Sequence, residues 1–159
     1  MSGKITDNLG RSSGLVKALS GGGGKILQVV GSTDNTETNH NSTSYTASGL
    51  DVDITPSAST SLIYIVVTFN VYFEDGYIWS ASFFRDETDL DPGSLGMHNI
   101  NTQTKDMNTG CALNWLDSPS STSEITYSLR VKAETSGKRL DTCPGNALNT
   151  IIAFEIDGS

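Results

Sequence analysis

Hydrophobic and polar residues alternate along much of the chain with the two-residue period of β-strands. Leu50, Val52 and Ile54 alternate with polar side chains, and the same alternation returns in residues 125–132. Residues 61–73 are apolar at almost every position and rich in β-branched and aromatic side chains, which predicts a central strand covered on both faces. The pattern therefore predicts an all-β protein.

Further apolar runs add strands to this set. Residues 25–31 and 111–116 each predict one strand, and the last run predicts a strand with Ile152, Phe154 and Ile156 pointing inward. Polar segments rich in Ser, Thr, Asn and Gly separate these runs and are typical of loops. The number and spacing of the strands predict a single β-sandwich, jelly-roll-like in its organisation.

Turn-forming residues indicate how the strands connect. Asp75-Gly76 is a hairpin signal, so residues 78–85 are predicted to return alongside the strand that precedes them. Pro56 ends a strand, because proline cannot donate a hydrogen bond to the sheet. Asp117-Ser118-Pro119 predicts a turn in which Asp117 and Ser118 bond to nearby backbone.

Residues 1–24 differ in composition from the rest, because they are polar and glycine-rich and end in four consecutive glycines. We expect an extended N-terminal attachment arm with a glycine hinge, joined to a β-sandwich domain at residues 25–159. A terminus without a binding role is the alternative interpretation. The apolar side chains expected to attach the arm are Ile5, Leu9, Leu15, Val16 and Leu19.

The chain is acidic, with 10 Lys and Arg against 18 Asp and Glu and a formal net charge of −8. This balance argues against nucleic-acid binding, which needs a concentrated basic surface to contact phosphates. No apolar run approaches the roughly 20 residues of a membrane-spanning helix, and the first residues lack the apolar core of a secretory signal. We therefore expect no nucleic-acid partner, no membrane insertion and synthesis in the cytoplasm.

The two cysteines, Cys111 and Cys143, leave two interpretations open. They can form one internal disulfide, or they can be two small buried thiols. Zinc is not expected, because no C-x-x-C motif is present and His40 and His98, both in polar loop segments, lack the spacing of ligands. We predict that the protein holds neither a metal nor a cofactor.

Catalytic motifs are sparse. No G-x-S-x-G nucleophile elbow is present, and the sequence cannot place two carboxylates between residues 74 and 91 at the separation that glycoside hydrolysis needs. We therefore predict that the protein is not an enzyme. An exposed platform for stacking sugars is a further alternative to core packing for four aromatic residues, namely Tyr72, Tyr77, Trp79 and Trp115.

The acidic run at residues 86–91 and the nearby histidine form the candidate outward-facing ligand loop. Its named residues are Asp86, Asp89, Asp91 and His98. Carboxylate oxygens suit calcium, but the run lacks the central glycine and closing glutamate of an EF-hand loop. A solvated acidic loop is therefore favoured over a calcium site.

Several motifs, taken in their order along the chain, resemble a recurrent module of tailed-bacteriophage virion proteins. The first half carries MSGKITDNLGRSSGLVKA, GGGGKILQVV and TSYTASGLDVDITPSASTSLIYIVV, and the second half carries LDSPSST, ITY and TIIAFEI. The resemblance covers about residues 1–85 and 110–157, nearly the whole chain. Residues 86–110 depart from the family pattern, so the resemblance does not indicate an external ligand.

The resemblance implies a β-sandwich carried on the outside of a phage particle, often as a trimer. We accordingly expect a virion surface protein, a homotrimeric head decoration or short fibre (knob), assembled in the bacterial cytoplasm and attached to capsid or tail proteins by its N-terminal arm. The alternative is a tail-fibre tip or receptor-binding protein that contacts host surface glycan. A polysaccharide depolymerase is the third possibility.

Overall fold

The structure is a computed structural model, and it describes residues 24–74, 78–91, 93, 95–101 and 106–159. Within these ranges the chain forms β-strands and one short 3-10 turn at Pro144–Asn146. The predicted arm residues Ile5, Leu9, Leu15, Val16 and Leu19 lie outside the described residues. The strands are β1 Ile26–Asp34, β2 Thr38–His40, β3 Thr46–Ile54, β4 Leu62–Phe73, β5 Ile78–Arg85, β6 Thr88–Asp89, β7 His98–Asn101, β8 Met107–Asp117, β9 Ile125–Ala133, β10 Leu140–Thr142 and β11 Asn149–Ile156.

The strands form two antiparallel sheets that pack face to face. Sheet 1 has the order β1-β11-β4-β10-β2, with β8 on the other side of β4, and sheet 2 has the order β3-β9-β5-β6, with β7 also paired to β5. Without the short strands β2, β6 and β10, each connection crosses to the other sheet except the one from β5 to β7. This is the arrangement of a jelly roll, and it confirms the predicted β-sandwich.

The core lies between the two sheets and consists of the inward side chains of each strand. Leu50, Val52 and Ile54 of β3 are buried, as predicted from their alternation. Alternate residues of β4 and β9 complete most of the core because the residues between them point to the opposite face. These inward side chains are Ile63, Ile65, Val67, Phe69, Val71, Tyr127, Leu129 and Val131.

The predicted hairpin between β4 and β5 is wrong. β4 belongs to sheet 1 and β5 to sheet 2, so this connection crosses the sandwich instead of closing a pair; Asp75-Gly76 lies outside the described residues. The prediction that β4 is covered on both faces is also wrong, because Thr68 is exposed and Tyr64 is only half-buried on its outer face.

The orientation predicted for the last strand is reversed in the structure. Ile151 and Ala153 are fully buried in β11, whereas Ile152 is 36% exposed. The register explains the reversal, because Ile152 lies opposite Val66 and Phe154 opposite Tyr64, both on the outer face of β4. The inward set therefore includes a carboxylate, Glu155, which the apolar pattern had placed outside.

Glu155 is tolerated inside the sandwich because its carboxylate receives four hydrogen bonds. The backbone N–H of Ser57 (2.7 Å) and the hydroxyls of Ser57 (2.6 Å) and Ser61 (2.6 Å) donate to Oε1, and Gln28 Nε2 (2.7 Å) donates to Oε2. Burial alone would raise the pKa of Glu155, but the hydrogen bonds outweigh it and lower the pKa to about 2. The side chain thereby fixes the loop after β3 against β11.

A second carboxylate joins the two sheets. Asp117, at the end of β8, accepts hydrogen bonds from Arg85 Nη1 at 2.9 and 3.2 Å and from the Tyr127 hydroxyl at 2.6 Å. Arg85 and Tyr127 belong to sheet 2, and β8 belongs to sheet 1. Asp117 is therefore not the backbone-bonding turn residue that the sequence predicts, because its side chain binds across the sandwich.

Both cysteines are free, so the disulfide is not formed; Cys143 is buried, as the alternative interpretation requires, whereas Cys111 is only half-buried. Cys111 lies on β8 opposite Phe69 of β4, whereas the Cys143 N–H donates to Asn70 O on the other side of β4. Two strand spacings separate such positions by about 10 Å. A disulfide needs Cα atoms within about 7 Å.

Candidate interaction surface

The outer face of sheet 1 carries a continuous group of apolar side chains, which we call the apolar face. Their positions follow from strand alternation and from the register of β1, β11, β4 and β8. Val29 and Leu116 are 54% and 50% exposed at its two edges. The apolar face consists of Ile26, Val29, Leu62, Tyr64, Val66, Leu116, Ile152, Phe154 and Ile156.

The central row of the apolar face crosses four neighbouring strands. Val29 lies opposite Phe154, Phe154 opposite Tyr64, and Tyr64 opposite Leu116. The rings of Tyr64 and Phe154 are 6.2 Å apart between centroids and tilted by 40°. Cross-strand pairs of this kind stabilise a sheet, and here they also form one unbroken apolar stripe.

The face continues beyond this stripe with uncharged polar residues. Thr68 and Thr150 lie opposite each other, and their hydroxyl oxygens are 2.8 Å apart. In the next row the Asn70 amide donates to the backbone oxygen of Leu148 at 3.3 Å. From the row of Leu62 to the row of Asn70, the outward residues of the four strands include no Asp, Glu, Lys or Arg.

The outer face of sheet 2 is charged and partly covered by the chain itself. Arg130 of β9 forms an ion pair with Glu87 at 2.8 Å, and its guanidinium lies 4.4 Å from the centroid of the Phe84 ring. Lys132 pairs with Glu134 at 3.1 Å. Gly96 holds the covering loop close to β5, since a Cβ there would approach the Tyr45 hydroxyl to 2.6 Å and φ is +75°.

The three acidic residues of the predicted ligand loop bind their own surroundings. Asp86 Oδ1 accepts the Thr126 N–H at 3.1 Å, and Asp91 Oδ1 accepts the Gly93 N–H at 2.8 Å. Asp89 Oδ1 accepts both the Ser82 hydroxyl and the Asp91 N–H. Across the described residues, no three His, Cys, Asp or Glu side chains are grouped to hold a metal ion. The three carboxylates thus stabilise the conformation of the loop itself.

His98 points towards the core, so the prediction that it faces outward is wrong. It lies on β7, and its ring is 5.7 Å from that of Trp79 and 6.4 Å from that of Phe69, centroid to centroid. Burial lowers the pKa of His98, and neither its Nε2 nor the Trp79 Nε1 has a hydrogen-bond partner in the described part of the chain. Trp79 itself is core.

His40 was also predicted in a loop and instead lies buried on β2. Its Nδ1 is 2.9 Å from the Thr46 hydroxyl and its Nε2 is 3.1 Å from the Thr142 hydroxyl. Burial lowers the pKa of His40, and the nearby carboxylate of Asp141 acts in the opposite direction. The two histidines therefore lie in separate environments. Among the described residues, neither histidine forms a hydrogen bond with the acidic loop.

The alternative of a stacking platform is not assembled by the described aromatic residues. Trp79 is buried and Trp115 packs against the core from β8. Tyr72 lies on the outer side of β4, where the guanidinium of Arg139 is 5.3 Å from its ring centroid. Tyr77 lies outside the described residues.

The chain enters the sandwich next to the apolar face. The Gly24 N–H donates to Asp157 O at 3.0 Å, and the Asp157 N–H donates to Lys25 O at 2.8 Å. Ile26 then begins β1 and lies opposite Ile156, so the first residues of the sandwich extend the apolar face. Gly24, the first described residue, therefore lies at this edge of the sandwich.

Comparisons with known proteins add no family assignment. No protein-family model matches the chain, and the search of curated proteins returned no match. In the described ranges, no helix has both the length and the apolar character needed to cross a membrane. The geometry of sheet 1 instead suits hydrophobic association, because covering an apolar sheet face with another apolar surface removes both from water and is favourable.

Proposed function

We propose that this chain is a non-enzymatic structural protein of a bacteriophage virion, a head decoration or short fibre that attaches by its N-terminal arm and projects its β-sandwich. The observation that carries the proposal is the uncharged apolar face of sheet 1, located beside the point where the arm joins the sandwich. The order of the sequence motifs supplies the phage setting. The protein acts by binding, and its site of action is the virion surface.

The energetics of the arm support attachment to an assembly of several copies. Burying its five aliphatic side chains would yield about 8–15 kcal/mol, whereas ordering its backbone costs about 1–2 kcal/mol per residue. Hydrogen bonds to a preformed surface must supply the difference, so one arm binds weakly. Several arms on one oligomer gain avidity.

The ligand-loop geometry gives less support to glycan recognition. Asp86, Asp89 and Asp91 accept hydrogen bonds from the backbone and from Ser82, and His98 packs on core rings. The three carboxylates therefore hold the outer layer of sheet 2, and His98 belongs to the core side of that sheet. They therefore add nothing specific to the receptor-binding alternative.

The test replaces the five apolar arm residues, Ile5, Leu9, Leu15, Val16 and Leu19, by serine in the full chain and measures the copies bound per phage particle. We expect binding to fall by about 100-fold, since every arm loses its contacts and avidity is lost with them. Replacing Ser12 and Ser13 by alanine is the matched control and should leave incorporation unchanged. Undiminished incorporation of the serine variant would contradict the proposal.

A further inference from the structure

We infer that copies of this chain associate with one another through the apolar face of sheet 1 and the uncharged rows that continue it. The inference rests on the proposed function for its biological setting, and it adds which surface is used and that a second copy of the chain covers it. Three properties of the outer face of sheet 1 support it: the exposure of its apolar side chains, its area and its lack of charge.

Exposed apolar side chains are concentrated on sheet 1. Of the large hydrophobic residues that are exposed in the described ranges, all but Leu95 lie on β1, β8 or β11 or directly precede β11. Scattered exposed hydrophobics are ordinary, whereas a contiguous group indicates a surface that is covered in the working state. The exposed residues that belong to the apolar face are Ile26, Val29, Leu116 and Ile152. Met107 does not belong to it, because it lies opposite the buried Phe73.

The area of this surface suits a specific interface. The rows of Tyr64, Val66 and Thr68 extend over all four strands, and the rows of Leu62 and Asn70 are partial, so the surface spans at most about 33 Å by 19 Å, or roughly 600 Å², at ordinary strand spacings. Two copies in contact would bury at most about 1,200 Å² in total, which is the lower end of the range for stable protein interfaces. The arrangement also has the expected anatomy, with aromatic and aliphatic residues around Tyr64 and Phe154 and uncharged hydroxyls at Thr68 and Thr150 towards the rim.

Charge selects sheet 1 as the face through which two copies can meet. Each chain carries a formal net charge of −8, so most pairings of two copies oppose like charges. Contact through sheet 2 would bring Asp51, Asp53 and Glu87 of one copy near acidic residues of the other. The outer face of sheet 1 avoids this cost, and an apolar surface is complementary to another copy of itself about a symmetry axis.

The test measures the mass of the purified full-length chain by light scattering and sedimentation at micromolar concentration. We expect a mass of twice 16.9 kDa, because a face that pairs with itself produces a twofold dimer. A mass of three times 16.9 kDa would support the homotrimer that the motifs imply and would overturn pairing through one self-complementary face. The variant Val29→Glu with Leu116→Glu places carboxylates at both ends of the central row. It should weaken association by about 100-fold, since each carboxylate would lose its water against an apolar surface that offers no cation to pair with it.

Leu95→Glu is the matched control, because Leu95 is 57% exposed but belongs to the loop over sheet 2. It should keep the wild-type mass. A monomeric wild-type chain would overturn the inference, as would a Val29/Leu116 variant that retains the wild-type mass and melts cooperatively.

The chain's own N-terminal segment is the competing occupant, and the same preparation identifies it. If the wild type is monomeric and binds a hydrophobic dye only after Leu15, Val16 and Leu19 are replaced by serine, then that segment covers the face and self-association is wrong. A monomer that still joins particles through its arm would contradict this inference and leave the proposed function standing.

Discussion

The two sheets share one core but present opposite outer surfaces. The outward residues of β1, β11, β4 and β8 are apolar or uncharged across five rows, whereas those of β3 and β9 include Asp51, Asp53, Arg130 and Lys132. Folding required only the inner faces to be apolar, so the difference between the outer faces concerns the surroundings of the folded molecule. Sheet 2 presents charged side chains to water, whereas sheet 1 presents an apolar surface that the proposed self-association would cover.

The way in which each outer face is stabilised differs as well. On sheet 2, the Arg130 guanidinium bonds Glu87 and lies over Phe84, and a loop held by Asp89 and Asp91 covers β5. The chain thereby shields its own apolar ring on that side. On sheet 1, Val29 and Leu116 have no such cover among the described residues. The proposed contact between copies therefore involves only one side of the sandwich.

The substitution expected to destabilise the contact between the two sheets most is Asp117→Ala. It removes the carboxylate that joins β8 to Arg85 and Tyr127, leaving a guanidinium and a buried hydroxyl without their acceptor. We expect a loss of about 2–4 kcal/mol in the free energy of unfolding, at the lower part of the range for a broken buried pair because Arg85 is partly exposed. Urea unfolding measures it. Glu87→Ala, which breaks the exposed pair with Arg130, is the control and should cost about 0–1 kcal/mol.

Glu155→Gln tests the interior support of sheet 1. The amide keeps the shape but donates where Ser57, Ser61 and Gln28 also donate, so we expect a loss of about 1–3 kcal/mol at neutral pH. The folded pKa of about 2 lies below the ordinary value of 4.5, so the carboxylate stabilises the fold above pH 4.5, and this contribution disappears as the pH falls towards 2. The difference between wild type and variant should narrow over that window. A constant difference would show that the charge is irrelevant.

His40→Gln tests the edge of sheet 1 at which β2 pairs with β10. Burial lowers the pKa of His40 below 6.5, so the neutral ring stabilises the fold fully above pH 6.5 and this contribution declines as the pH falls below it. We expect the variant to lose about 1 kcal/mol at pH 7 and to depend less on pH between 6.5 and 5. Thermal melting of the wild type and the variant across that range measures the pH dependence of stability, and His98→Gln is measured alongside as the second histidine variant. A His40→Gln variant that depended on pH as strongly as the wild type would contradict the prediction.

The smallest effects on folding should come from the outer faces themselves. Asp53→Asn on sheet 2 and Thr68→Lys on sheet 1 each alter an exposed side chain, and each should change the free energy of unfolding by only about 0.5 kcal/mol. Their effects on self-association should differ, because only Thr68 lies in the uncharged rows. Sedimentation of both variants tests this contrast, and equal behaviour would count against a functional difference between the sheets.

The sequence predicts the β-sandwich well wherever one strand face is polar. Leu50, Val52 and Ile54 of β3 alternate with Asp and Thr, so their burial follows directly from the pattern. In β11 both faces offer apolar residues, and the larger side chains, Ile152 and Phe154, were assigned inward although they lie outside. The register with β4 and the hydrogen-bond donors to Glu155 determine which face of β11 points inward. Those donors lie far from β11 in the sequence, so the local pattern does not reveal them.

The candidate surface was missed for the same physical reason. A single sequence marks a residue as apolar but cannot show whether its own core or another molecule covers it, so Val29, Tyr64 and Leu116 were predicted only as parts of strands. The acidic loop illustrates the converse. Asp89 and Asp91 suggest a ligand when considered as charges, but their partners are Ser82 and backbone N–H groups that only the fold brings near.

The hydrogen bond between Gly24 and Asp157 places the first and last residues of the sandwich at one pole. Gly145, in the 3-10 turn near the far end of β1, is about 30 Å away, the length of that strand. A peptide tag grafted at Gly145 would therefore lie about 30 Å from Gly24, whereas one appended after Ser159 would lie beside it. Gly145 is thus the better place for a foreign peptide that must not obstruct the chain bonded to Gly24.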